Sequence, residues 1–222
     1  KSKFIPVSEE SLFDCHYKAG KDMLSLYCNW HNDTHVFTGK TVLMGGSSQM
    51  DPNINGSIVG DLSAILISNL PFWVTRQQTP SNDVALMGNW ELKIERMAEE
   101  IIKEKITSIT GVPSWTQILF ERVLQKTGAN DLNEVWPQLE MYIHGAVNFD
   151  PFKERFKKMA PKLNYLEIFN ASEGFFGIQY EKGVSDFLLM LDYGIFYEFI
   201  PKNQWEREDP KVFSLESVQI GE

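Results

Sequence analysis

The sequence predicts an α/β fold, and three observations carry that expectation. Short runs rich in β-branched and aromatic residues (41–44, 106–110, 141–144, 165–169) alternate with runs of helical periodicity, the order that puts helices on the faces of a sheet. Apolar residues make up 43% of the 222 and charged residues 23%, enough for a substantial core and too apolar for a disordered chain. No internal repeat, low-complexity tract or long linker divides the chain, so one large domain is expected.

In chain order, Ser8 is placed as the N-cap of a long helix ending near Asn29. Glu9 and Glu10 sit in its favourable first turn, and Leu12, Phe13, Met23, Leu24, Leu26 and Tyr27 form its apolar face. Residues 36–37 and 41–44 read as short strands, the second running into Gly45-Gly46-Ser47-Ser48. No Gly-Lys-Ser/Thr follows those glycines, so the P-loop NTPase template fails. Near-helical spacing of Ile58, Leu62, Ile65 and Leu66 predicts a helix over 57–69, and Pro71 opposes its continuation. Residues 90–106 predict the most regular helix, with Ile94, Met97, Ala98, Ile101 and Ile102 on one side.

A strand over 106–110 then leads through Gly111-Val112-Pro113 to Ser114, read as the N-cap of a helix ending before Gly128. Strand 141–144, a helix around 152–159 with a solvated Lys153 to Lys158 face, and strand 165–169 repeat the alternation. Residues 186–191 and 195–200, separated by Asp192-Tyr193-Gly194, predict an antiparallel hairpin, and polar 202–211 a solvated loop. The chain therefore becomes more β-rich toward its C-terminal end.

Composition narrows function. Against 30 Asp and Glu stand 21 Lys and Arg, a net charge of −9 that argues against a phosphate-backbone footprint and hence against nucleic acid. The most apolar stretch, 187–200, is interrupted by Asp192 and Glu198, so no membrane anchor is expected. Cys15 and Cys28 read as free buried thiols of a reducing compartment, which makes a cytoplasmic location the expectation. His31 and His35 are four apart, but Asn32-Asp33 between them reads as a turn and makes a metal site unfavourable. The aromatic load (15 Phe, 6 Trp, 7 Tyr) suits core and pocket equally, and Phe72, Trp73, Phe175 and Phe176 are assigned to the core by base rate.

The segment Phe169-Asn170-Ala171-Ser172-Glu173-Gly174 follows a strand, at the end where open α/β sheets bind ligands. A carboxylate there suits Mg²⁺ shared with phosphate oxygens, and Ser172 can donate to such an oxygen, although a plain capped turn explains the same residues.

Together with other segments in the same order, this one resembles the auxin-responsive acyl-acid-amido synthetases, a branch of the adenylate-forming superfamily. Lys1-Ser2-Lys3-Phe4-Ile5-Pro6-Val7-Ser8 resembles the close of that family's Ser/Thr/Gly-rich phosphate loop, and 169–174 its aromatic-x-x-Ser-Glu-Gly motif. Gly111-Val112-Pro113-Ser114-Trp115 and His144-Gly145-Ala146-Val147 are similar to its acyl-pocket helix entry and adenine-side turn, and Tyr197-Glu198-Phe199-Ile200-Pro201 is also family-like. The resemblance implies an enzyme using ATP and Mg²⁺ to convert a carboxylic acid to an acyl-adenylate and to pass the acyl group to an amine, commonly of an amino acid. It implies Glu173 as metal ligand, Ser172 and Lys3 as catalytic contacts, and Phe169, Asn170, Ala171, Gly174, Gly145 and Ala146 around the nucleotide. Ser114, Trp115, Phe175 and Phe176 would line the acyl cavity. Residues 1–222 would then be the central portion of the large N-terminal domain, with the start of the phosphate loop and the smaller C-terminal domain outside them. Thioester formation with a thiol such as coenzyme A, or a non-catalytic nucleotide- or acid-binding module, are the alternatives.

Overall fold

The computed structural model describes residues 4–46, 51–52, 58–184 and 186–219. The chain opens with a π-helical segment, Ser11–His16, that continues into α1 (Tyr17–Trp30). Ser8 Oγ accepts from the Ser11 amide at 3.2 Å, as its N-cap placement expects. Next come β1 (Lys40–Met44), the two-residue pair β2 (Asp51–Pro52) and β3 (Ile58–Val59), α2 (Leu62–Ser68), α3 (Phe72–Thr75), β4 (Gln78–Thr79) and α4 (Asn82–Ala85). Then follow α5 (Trp90–Ile101), β5 (Ile106–Gly111), α6 (Pro113–Thr127), α7 (Leu132–Val135), β6 (Met141–Gly145), α8 (Asp150–Met159), β7 (Asn164–Ala171) and β8 (Gly174–Gln179). The last strands are β9 (Phe187–Leu189), β10 (Glu198–Phe199) and β11 (Phe213–Ser214).

Seven strands form one mixed sheet in the order β4-β1-β5-β6-β7-β8-β9. The first five are parallel, and β8 and β9 extend the sheet antiparallel. The connections after β4 all advance in one direction, so right-handed crossovers put α5, α6 and α8 on one face. Side-chain alternation on β6 serves both faces. Tyr142 joins the core with Met97, Ile101, Leu119, Phe120, Val123 and Phe156, whereas Met141 and Ile143 join Ala19, Tyr27, Leu166, Ile168 and Ile178 under α1.

Five expectations need correction. Residues Val36–Thr38 form a 3₁₀ turn, not a strand, and Thr107 Oγ1 donates to the Val36 carbonyl to hold it. The helix expected over 57–69 is confined to Leu62–Ser68, because Ile58–Val59 pairs as β3 with β2. The helix expected through residue 106 ends at Ile101, five residues before β5 begins. Residues 186–191 and 195–200 do not pair: β9 adds to β8, and β10 pairs with β11. Phe72 and Trp73, assigned to the core, are exposed on α3, with Arg76 over the Phe72 ring. Cys15 and Cys28 are free thiols, Cys15 buried and Cys28 half-buried.

Candidate functional site at the carboxyl edge of the sheet

The five parallel strands end on one edge, which brings Gly45-Gly46 after β1, Gly111 at the end of β5, Gly145-Ala146 at the end of β6 and the β7–β8 turn into one row. From β1 the chain passes to β4 on one side and returns to β5 on the other, so the β1–β5 boundary is the topological switch point where open sheets form a crevice.

The β7–β8 hairpin carries most of the residues expected to act. Its register shifts between Phe169 and Asn170, so Phe176 is the extra residue of a bulge. The bulge lets Phe175 and Ile178, three apart, both face the core under α1, and it turns Phe176 to the opposite face beside Phe169, ring centroids 5.3 Å apart. Phe169 is 54% exposed, whereas Phe175 is buried against Tyr193, its amide donating to Cys15 Sγ at 3.3 Å. Ser172 and Glu173 are exposed at the turn, and among the described residues neither side chain takes part in a hydrogen bond or ion pair.

At the β6 exit, a side chain on Gly145 would run into the Ile168 carbonyl of β7, so close strand packing by itself demands glycine. Ala146 adopts φ 69°, a left-handed conformation costly for a residue with a Cβ and characteristic of functional turns. His144 beneath it is 3% exposed and stacks on Phe149 at 4.2 Å. Burial, reinforced by nearby Lys153, holds the imidazole neutral, its pKa lowered to about 4, and Nδ1 has no partner. On β7 the adjacent Glu167 is pushed up by burial and by Asp150, with Lys153 opposing.

At the β5 exit, Tyr142 Oη donates to the Gly111 carbonyl at 2.9 Å. Helix α6 starts at Pro113 with Val112 in the cap position, so Ser114 lies one residue inside it and is not the cap. Trp115 packs on Trp90 at 5.3 Å and against the α5–α6 core. Lys3 lies outside the described residues.

Sequence reasoning missed Lys93. It sits on α5, 1% exposed, and its Nζ donates to the carbonyls of Gly45 at 2.8 Å and Gly46 at 3.1 Å. Burial lowers its pKa and Asp61 opposes that shift. The signal was present: Lys93 is four residues before Met97 and eight before Ile101, on the buried stripe of an amphipathic helix.

Two hollows lie away from this row. One, about 300 Å³, is at the amino edge, lined by Tyr27, His31, Asp33, His35, Glu140 and Asn164 among others. Part of its polar lining is already paired: Glu140 accepts from Thr34 Oγ1 and the His35 amide, and its carbonyl accepts from Tyr27 Oη and Asn164 Nδ2. The other, about 380 Å³, lies beside β4 between Thr75 and Asp83. Neither is lined by Glu173. None of the residues expected to act lines either hollow, and the row of strand exits, which includes the topological switch point, is the candidate. Among the described residues, no group of three or more His, Cys, Asp or Glu is arranged to hold a metal, and no helix is long and apolar enough to cross a membrane.

Comparison with known proteins bears on the fold and the family. The structure of GH3.15 acyl acid amido synthetase superposes with a TM-score of 0.68 at 12% identity, over 100% of this chain and 48% of that one. The chain thus spans about half the length of that protein, and the likeness establishes a shared fold. No curated protein sequence matches. The GH3 family N-terminal domain matches residues 1–165, about three quarters of the chain, and the chain therefore belongs to the GH3 family.

Proposed function

We propose that this chain supplies the central portion of the large domain of an ATP- and Mg²⁺-dependent ligase. In the first step a carboxylate oxygen attacks the α-phosphorus of ATP and pyrophosphate leaves. In the second, an amine nitrogen, here assigned to an amino acid, attacks the acyl carbon of the adenylate and AMP leaves. The exposed Ser172-Glu173 tip is the observation that carries this reading: a hydroxyl and a carboxylate without partners among the described residues, at the carboxyl edge of the sheet, beside the half-exposed Phe169 ring.

Each group has a task its chemistry suits. Phe169, with Phe176 beside it, offers an aromatic face to the base, and Asn170, Ala171 and Gly174 shape the turn around it. Gly145 and Ala146 keep bulk away from the same side. Ser172 donates a hydrogen bond to a phosphate or carboxylate oxygen. Mg²⁺ keeps several waters and asks for one or two protein carboxylates beside phosphate oxygens, which the exposed Glu173 carboxylate fits; when bound it offsets charge on the triphosphate. Ser114 at the start of α6 and Phe176 border the acid, while Trp115 and Phe175 act from the core behind them.

Acid-dependent exchange of labelled pyrophosphate into ATP, measured on the full-length protein with acids from acetate to dodecanoate and with benzoate, tests the reading. Exchange is expected with at least one acid, and Glu173→Gln should depress it by about 100-fold, the scale of removing one electrostatic contact to a developing charge. Absence of exchange across the panel, or a Glu173→Gln variant as active as the parent, contradicts it.

A further inference from the structure

The exit of β1 is fastened from both faces of the sheet. From one face, Ser63 Oγ on α2 accepts the Gly46 amide at 2.8 Å. From the other, Lys93 on α5 takes the carbonyls of both glycines. The backbone here is packed too closely for side chains: a Cβ on Gly45 would lie 2.8 Å from Ile67, and one on Gly46 would strike the Asp61 carboxylate. The neighbouring β5 exit abuts it, Met44 pairing with Gly111, where a Cβ would lie 2.8 Å from Met44 Cβ and 2.9 Å from Thr116 Oγ1. Tyr142 ties that second exit down from the α5–α6 face as well.

A buried ammonium is an expensive way to satisfy two carbonyls that water would otherwise reach. What Lys93 adds is a fixed backbone at Gly45 and Gly46, at the switch point of the sheet, with its own charge faced by Asp61. The exposed Phe169 ring lies three strands away, roughly 14 Å at about 4.8 Å per strand. A base held at the Phe169 end leaves the β1–β5 end, where Ser114 opens α6 behind Gly111, to the other substrate, the carboxylic acid.

We infer that Lys93 is a positioning residue for the carboxylic acid: by clamping Gly45 and Gly46 it fixes the β1–β5 end of the crevice and orients the incoming carboxylate toward the nucleotide. The inference rests on the acid-activating reading above. It acts through the backbone of Gly45 and Gly46, so its signature is a selective loss of acid recognition.

The test uses full-length Lys93→Met and Lys93→Arg with whichever acid of the panel exchanges fastest. Lys93→Met should raise KM for that acid at least tenfold and leave KM for ATP within twofold, and Lys93→Arg, which keeps cation and donors, should recover most of the loss. Amide exchange in residues 43–46 should be at least tenfold faster in Lys93→Met. An unchanged KM for the acid, or an equal rise in KM for ATP, overturns the inference. Should Lys93→Met fail to fold, the parent protein decides: the acid alone must slow amide exchange in 43–46, and protection confined to 145–147 and 169–174 overturns it. If no acid supports exchange in the parent, the enzymatic reading and the acid role fall together, whereas the amide-exchange comparison still reports whether the clamp exists.

Discussion

His144 shows how one buried side chain writes itself into the pH dependence of the whole chain. Its imidazole is held neutral by burial and by Lys153, with a pKa near 4 in place of 6.5. As pH falls below 6.5 the unfolded chain takes up a proton that the folded chain refuses, so stability is full above 6.5 and declines until about pH 4. The loss approaches about 3 kcal/mol at 1.36 kcal/mol per pH unit. Glu167 acts in the opposite sense, since its raised pKa favours the folded chain as the solution acidifies. The quantity to measure is therefore the difference between parent and His144→Phe, whose ring can keep the stack on Phe149. Urea unfolding at pH 7 and pH 4.5 should show the parent losing more stability than the variant, and equal losses would refute the assignment. At this scale the sequence pointed correctly to the strand end for Ser172 and Glu173, because a strand followed by a short polar turn is a local pattern. Lys93 was hidden, because its partners lie 47 and 48 residues away.

Helix α5 is the element on which the site's footing depends, since it carries Lys93. Its start is set by Asn89, whose Oδ1 accepts from the Leu92 amide at 2.9 Å. Asn89→Ala should lower unfolding stability by about 1 kcal/mol, the usual cost of losing such a cap, and leave KM for the acid unchanged because Lys93 lies a full turn beyond it. A melt indistinguishable from the parent would show that the cap contributes nothing. Elements with a long period were legible: α6, α8 and strands β1, β5, β6 and β7 fall within a few residues of their expected bounds, α1 does so together with the π-helical segment before it, and α5 starts where expected but ends five residues early. The four-residue helices α3, α4 and α7 and the two-residue strand β4 are shorter than the window in which a period can be read. The expected 186–200 hairpin failed for a different reason. Its turn is there, with Gly194 at φ 69°, but Lys18 pairs with Asp192 and Asp22 accepts from Tyr193 Oη, which fastens that turn to α1. Residues 187–189 are left to complete the edge of β8.

At the scale of the molecule, the sheet has two unlike edges, and the choice between them decides where chemistry happens. The amino edge has the better-shaped hollow, with its Glu140 already paired, whereas the carboxyl edge has an exposed aromatic ring, a strained Ala146 and, among the described residues, Ser172 and Glu173 with no hydrogen bond or ion pair on either side chain. Shape favours the first edge and chemistry the second. Ligands that bring their own charge are bound by donors and acceptors that the fold has not used, so chemistry should win. Amide exchange of the full-length protein with and without ATP·Mg²⁺ separates the two edges directly. Protection is expected in 145–147 and 169–174, and residues 31–35 and 138–140 should exchange at the same rate with and without nucleotide. The paired substitution His31→Ala and His35→Ala, which strips the hollow of two lining rings, should likewise leave the nucleotide Kd within twofold. A footprint centred on Glu140, or a tenfold weaker Kd in that variant, would move the site to the opposite end of the sheet and leave the exposed tip at Glu173 as an ordinary hairpin turn.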